Sequence, residues 1–282
     1  MMPETTYDNA AGITKELATG KFTDKMLADM RALIGTELRT DASINNEYAT
    51  RTAILRFCEG IGDDNPLWTR TDYADKARFG TLVAPPSYIF ACLGGIQVGW
   101  PGLGGFHCET TIKFFQPIRV GDKITCRVVF QDFDGPTADS NFGGRRIKDY
   151  ILQQYINQDG IVVADFICSR MRFERTEMQK RAETRKIEVP HPWKEDELAE
   201  IEASVLAEQP RGATPRYWED VQVGDEIDTI SKGPLGLTDF IAFIAGGAAP
   251  IPRVSAHSAV RRSFRKHPKW AFRDPKTHAL EP

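Results

Sequence analysis

The spacing of apolar residues changes twice along this chain. Between residues 24 and 62 it is mainly helical. DKMLADMRAL (24–33) reads as a short helix with Asp24 near its start, and IGTELRT (34–40) as a strand. ASINNEYATRTAILRFCEGIG (42–62) puts Tyr48, Ile54, Leu55, Phe57 and Cys58 on one helical face. A further apolar stretch, SYIFACLGGIQVGW (87–100), begins directly after Pro85 and Pro86. The prolines fit a helix start there, because the first turn of a helix leaves its N–H groups unpaired in any case.

From His107 the pattern becomes strand-like. HCETTIKFFQPI, DKITCRVVFQDF, KDYILQQYIN and IVVADFICSRMRF are rich in β-branched and aromatic residues and are broken by PIRVGD, DGPTADSNFGGR and QDG. Gln158-Asp159-Gly160 marks a hairpin, with Gly160 supplying the positive φ of a tight turn. Helices followed by an antiparallel set give an α+β class in which a sheet wraps one long buried helix.

The second change comes near residue 175. Residues 176–211 are charged and proline-containing, with an exposed helix predicted at 194–207, and read as a linker. RYWEDVQVGDEID (216–228) opens a new segment. The stretch from Thr238, TDFIAFIAGG, then echoes the stretch from Thr52, TAILRFCEGIG: each has Phe five places after the Thr and a glycine-rich exit. A weak internal repeat follows. The expected organisation is a tail at 1–23, a unit at 24–175, the linker, and a partial second copy at 212–282, since no strand-like run follows residue 245.

Composition narrows the class of function. With 282 residues, 41% hydrophobic, 27% charged, net charge -3 and a pI near 6.0, the chain has a soluble globular profile that asks for no nucleic acid. No basic and apolar leader opens it and no apolar run approaches a membrane span of ~20 residues, so the cytoplasm is the expected location. The five cysteines (Cys58, Cys92, Cys108, Cys126 and Cys168) lack CxxC spacing and are read as core thiols, with no metal expected.

The chemistry concentrates after the second helix. Gly62-Asp63-Asp64-Asn65-Pro66 is followed by Tyr73-Ala74, then by Phe79-Gly80 with Val83-Ala84-Pro85-Pro86, then by Pro117-Ile118 with Gly121-Asp122 before a strand. In this order the segments resemble the MaoC family of hot-dog-fold dehydratases and hydratases over about residues 25–175, specifically the N-terminal half of double hot-dog members. YWEDVQVGDEI with GPLGLTDFIAFIAG resembles the opening of the second hot dog, here incomplete. The resemblance implies reversible hydration of a 2-enoyl thioester to the 3-hydroxyacyl thioester. It also implies CoA thioester as substrate, no further cofactor, and a site built from Asn65, Pro66, Trp68, Tyr73, Phe79, Gly80, Ala84, Ser87 and Tyr88 around a catalytic Asp63.

The resemblance breaks at two points. Where the family carries a catalytic His, five residues after the Asp, this chain has Trp68, whose indole N–H donates but cannot take up a proton near neutral pH. Pro85 and Pro86 stand at the start of the central helix, where relatives offer a backbone N–H to the developing oxyanion, and losing such a donor costs ~10²–10³ in rate. Asp63 and Asn65 remain open to two readings, turn residues or retained catalytic groups. His107 reads as a strand residue, with a pocket-facing base as the alternative; His257 and the cluster Arg261, Arg262, Arg265 and Lys266 read as surface, with a base and a CoA-phosphate contact as their alternatives.

Three functions are compatible with these residues. The chain is the acyl-binding half of a hydratase working with a second MaoC-like subunit, or a self-sufficient hydratase using Asp63, or a non-catalytic module for acyl-CoA or acyl carrier protein. Homo- or hetero-oligomerisation is expected in each.

Overall fold

The computed structural model describes residues 20–38, 46–92, 100, 102–139, 144–174, 193–209, 211–212, 214–227, 229–247, 272–273, 278 and 280–281. The chain divides into two units, Met1–Thr184 with Ile241–Pro282, and Arg185–Phe240.

The first unit is built on five antiparallel strands. These are β1 (Glu37–Leu38), β2 (Gly104–Phe114), β3 (Thr125–Asp139), β4 (Gly144–Ile156) and β5 (Val162–Phe173), in the order β1-β3-β4-β5-β2. Alternation along β4 turns Ile147, Asp149, Ile151, Gln153 and Tyr155 toward the interior, where all five are buried. Two groups of side chains cover this face.

Helix α1 (Asp24–Leu33) is capped by Thr23, whose hydroxyl accepts from Met26 N at 3.1 Å. It packs Met26, Leu27 and Met30 with Phe22, Leu103, Val128, Phe130, Ile147 and Ile151. Glu174, at the end of β5, holds the helix entrance by accepting from Phe22 N at 3.0 Å and pairing with Arg145 at 2.9 Å.

Helix α2 (Arg51–Ile61) covers the other end. Thr50 caps it by accepting from Ala53 N at 3.1 Å, and Gly62 ends it in the left-handed conformation at φ 63°. Ile54, Phe57 and Cys58 are buried with Tyr88, Ile118, Ile124, Tyr155 and Ala164, each large apolar side chain contributing roughly 1.5–3 kcal/mol. A helix laid on an antiparallel sheet, in an α+β hot-dog fold, is the architecture the motifs imply.

Several local expectations are corrected. Helix α2 begins at Arg51, so Tyr48 lies outside it, half exposed and bridged to Lys123. The strand at 34–40 pairs only at Glu37 and Leu38, and residues 39–45 lie outside those described. The predicted helix at 87–100 is a 3-10 helix over Pro86–Cys92, and residues 93–99 lie outside the description. β3 continues to Asp139 through Gly135-Pro136, with a register shift between Asp134 and Thr137 absorbing the two strand breakers. Cys108 is exposed, whereas Cys58, Cys92 and Cys168 are buried.

The second unit contains α5 (Glu195–Ala207), as expected at 194–207, and a 3-10 turn at Trp218–Asp220. Trp218, Val223, Ile227 and Ile230 are largely exposed. Helix α6 (Leu237–Ala245) spans the boundary between the units, and β6 (Phe272–Arg273) pairs with β7 (Leu280–Glu281). The short helices α3 (Pro66–Thr69) and α4 (Thr71–Ala74) belong to the site below.

Candidate functional site

The motif residues form a chain of turns that aims one side chain inward. After Gly62, the Asp63 N–H donates to Cys58 O at 2.9 Å, and the Asp63 carboxylate accepts from Asn65 N at 3.1 Å. Asn65 caps α3 by accepting from Leu67 N at 3.0 Å, with Pro66 in the first helical position. Thr69 Oγ1 donates back to Asn65 O at 2.8 Å. This self-bonded turn fixes Leu67 and Trp68, and Trp68 packs against the α2 core cluster.

The Pro117-Ile118 and Gly121-Asp122 segment ties the same region together. Ala84 N donates to Ile118 O at 2.8 Å and Val120 N to Leu82 O at 3.0 Å, while Gly121 N donates to Ala49 O at 2.9 Å. The buried Asp122 carboxylate accepts from Arg119 N at 2.7 Å and from Gln158 at 3.1 Å. Arg119 also donates to Phe79 O at 2.9 Å. Gly80 lies at φ 64°, a left-handed position that favours glycine.

Between these strips lies a cavity of about 430 Å³. Its walls are Leu67 and Trp68 from α3, Phe79, Val83, Ala84, Pro85, Pro86 and Ile89 leading into the 3-10 helix, Phe114 to Ile118 at the end of β2, and Val163 and Ala164 from β5. The β2–β5 register, which pairs Phe114 with Ala164, brings the last two groups together. None of these fifteen lining residues carries a titratable side chain, and Gln116 is the one with a polar side-chain amide.

Of the residues singled out in the sequence, Trp68, Phe79 and Ala84 line the cavity, together with Pro85 and Pro86. Asp63, Asn65 and Pro66 build the turn that leads to Leu67 and Trp68 and are not among the cavity's walls. Tyr73 is exposed, in a shallow hollow with Asp72, Lys76 and Ala77. Ser87 is half-buried in the 3-10 helix; Tyr88 is fully buried, its ring edge-on to Phe57 at 5.4 Å and its hydroxyl without a hydrogen-bond partner. His107 is exposed on β2, 2.7 Å from Thr110 Oγ1, and lines no part of the cavity. His257 and the basic cluster at 261–266 lie outside the described residues.

Two groups near the turn are held neutral. Burial, and next the charge of Asp63, push the Cys58 thiol up to about 12. Burial chiefly raises the Tyr88 hydroxyl well above its usual range. The Trp68 Nε1 is sealed from solvent with no acceptor in reach. Among the described residues, no group of three or more His, Cys, Asp or Glu is placed to hold a metal ion, and no helix is long and apolar enough to cross a membrane.

Residues 32–166 match the family described as FAS1-like, dehydratase domain region. Over 105 residues the chain is 27% identical to a 3-hydroxybutyryl-CoA dehydratase of Methylorubrum extorquens, covering 36% of this chain and 67% of that protein. Over 70 residues it is 34% identical to an (R)-specific enoyl-CoA hydratase of Rhodospirillum rubrum, covering 23% of this chain and 46% of that protein. The chain thus spans about half to two thirds of the length of the curated relatives it matches. A chain of the ChsH1-ChsH2 complex from Mycobacterium tuberculosis superimposes with a TM-score of 0.42 at 18% identity, over 52% of this chain and 89% of that one. The match to a FAS1-like dehydratase region thus falls within the first unit.

Proposed function

We propose that this chain is the acyl-binding subunit of an enoyl-thioester hydratase or dehydratase, a lyase whose proton-handling pair comes from a second MaoC-like subunit. The carrying observation is the cavity of about 430 Å³, apolar throughout apart from Gln116, with an indole where the resemblance expects imidazole. Such a cavity favours the hydrocarbon part of a thioester by burying apolar surface. CoA is the expected carrier, with no other cofactor.

Hydration joins the oxygen of water to the β-carbon while a proton goes to the α-carbon. The water needs a base, and the enolate-like oxygen needs a donor. Here the lining offers no base, since Trp68 cannot accept a proton, and Pro85 and Pro86 have no N–H to give the oxyanion. Asp63 spends a carboxylate oxygen on Asn65 N, which supports the turn reading. What this chain contributes is therefore position and exclusion of water. The Asp63–Asn65 turn fixes the Trp68 wall, and the segment at 117–122 fixes the wall opposite.

The test is calorimetric binding of crotonyl-CoA and a longer 2-enoyl-CoA to the isolated chain, with hydration followed on the same samples. Binding without turnover is expected, with turnover on adding a MaoC-like subunit that carries an intact Asp/His loop. Turnover by the isolated chain, lost in Asp63→Asn, would establish the self-sufficient enzyme instead. A Trp68→His variant that gains hydration in the isolated chain would identify the missing group directly.

A further inference from the structure

The walls of the cavity in the first unit grade from buried to exposed. Ala84, Ile89, Ile118, Val163 and Ala164 are buried and form its floor, whereas Pro86, Phe114, Phe115 and Gln116 are exposed and form its mouth. A thioester entering tail first lays its hydrocarbon on the floor, because that is where apolar surface leaves water. Its carbonyl then stands at the mouth.

Two antiparallel strips meet there. Val83 bridges Arg119, while Ala84 N donates to Ile118 O at 2.8 Å and Val120 N to Leu82 O at 3.0 Å. Continued toward the mouth, the same register sets Ala84 against Ile118, Pro85 against Pro117 and Pro86 against Gln116. The exposure of both Pro86 and Gln116 agrees with that pairing. Gln116 is held in place by its own backbone, whose N–H donates to Val163 O on β5 at 3.3 Å.

A side-chain donor thus lies opposite the residue that lacks a backbone one. The enolate-like oxygen of hydration needs a hydrogen-bond donor, and Pro85 and Pro86 have no N–H. Ser87, the next residue that has one, is not among the cavity walls. Of the lining side chains, only those of Trp68 and Gln116 carry an N–H. Trp68 Nε1 is sealed from solvent, whereas Gln116 is exposed and its carboxamide bonds to no other described residue.

We propose that the Gln116 carboxamide is the oxyanion donor of this cavity, standing in for the backbone N–H that the resemblance expects at Pro86. The inference rests on the thioester reading above and adds a chemical role for this chain. As the base takes a proton from water, the water oxygen bonds to the β-carbon and the Cα–Cβ π pair shifts toward the carbonyl, so that negative charge gathers on the thioester oxygen. Gln116 Nε2–H donates a hydrogen bond to that oxygen and keeps its proton. The enolate then collapses, taking a proton at the α-carbon from the second subunit's proton-handling pair and restoring the carbonyl.

The test is the absorbance of 2,4-hexadienoyl-CoA bound to the full isolated chain, because this conjugated thioester absorbs further to the red when its carbonyl accepts a hydrogen bond. A red-shifted bound spectrum is expected. Gln116→Met keeps an unbranched side chain of similar length without the donor, so the shift should vanish while Kd rises about two- to tenfold, the loss of one neutral hydrogen bond. Gln116→Glu presents acceptors only and should abolish the shift as well. Binding without a red shift, or with a shift that Gln116→Met leaves intact, overturns the donor alone, even where that variant binds more weakly. Failure of the chain to bind the thioester overturns the donor and the proposed function together.

Discussion

Replacing Trp68 by Phe should leave the first unit as stable as before or make it more stable. The indole Nε1 is buried with no acceptor, and an unpaired buried donor costs about 1–3 kcal/mol. Phe keeps an aromatic ring against the α2 core and deletes that donor. The exchange also removes roughly 40 Å³ of side chain, and at ~24 cal/mol per Å³ of new cavity the loss is about 1 kcal/mol. That figure is an upper bound here, because Trp68 already borders an open cavity of about 430 Å³ and is not enclosed on every side. The balance runs from no change to a gain of about 3 kcal/mol. Urea unfolding followed by far-UV circular dichroism reads it without disturbance from the remaining tryptophans, and an unchanged slope confirms that the same surface is exposed. A loss of more than ~1 kcal/mol at unchanged slope would refute the reasoning, because it would mean that the N–H has a partner whose bond Phe cannot make.

Two further perturbations probe the frame around the site. Asp149 is fully buried, bonded to Arg172 at 2.8 Å and opposite the buried Arg170 in the β4–β5 register, so Asp149→Ala removes the buried carboxylate that faces both guanidinium groups. A loss of about 3–5 kcal/mol in urea unfolding is expected, and a loss under ~1 kcal/mol would show that the pair is not the buried anchor it resembles. The thiols give a pH signature: burial pushes Cys58, Cys92 and Cys126 each up to about 12 in the folded chain. The unfolded chain releases these protons from about pH 9 whereas the native state holds them to about 12, so this stabilisation is intact below pH 9 and is lost as pH rises through that window. At pH 8 an aromatic disulfide reagent should label the exposed Cys108 rapidly and Cys58 and Cys92 only on unfolding; rapid native labelling of Cys58 or Cys92 would contradict the packing.

How much of this was legible in the sequence depends on whether the signal was local. The turn at 62–66 was readable because Asp and Asn bond their own neighbours and Pro fixes φ, and those bonds are the ones found. The β4–β5 hairpin was readable because alternation and Gly160 agree. Alternation alone did not show that Asp149 would sit buried among Ile147, Ile151 and Tyr155, since its partner Arg172 lies on another strand. The break assigned to Gly135-Pro136 failed for a related reason, because a register shift lets a long strand absorb residues that would end a short one. The stretch after Pro85 looked helical by spacing, but its aromatic and β-branched residues form helix weakly, and over Pro86–Cys92 the tighter 3-10 form is adopted.

The site divides along the same line. Trp68, Phe79 and Ala84 lie on one continuous motif and could be proposed from it, whereas Phe114, Phe115 and Val163 reach the cavity only through the β2–β5 pairing, which no short-range pattern encodes. This changes what the retained acid means. An Asp kept for proton transfer should face the cavity, yet Asp63 is not among its walls and its carboxylate closes the turn that presents Trp68. Under that geometry the turn has its own reason to keep Asp63 whether or not a catalytic His is present. Asp63→Asn preserves a carbonyl acceptor for Asn65 N and should therefore leave the Trp68 wall, and thioester binding, unchanged in the isolated chain. Binding weakened tenfold or more by that single substitution would show instead that the charge of Asp63 acts on the ligand itself.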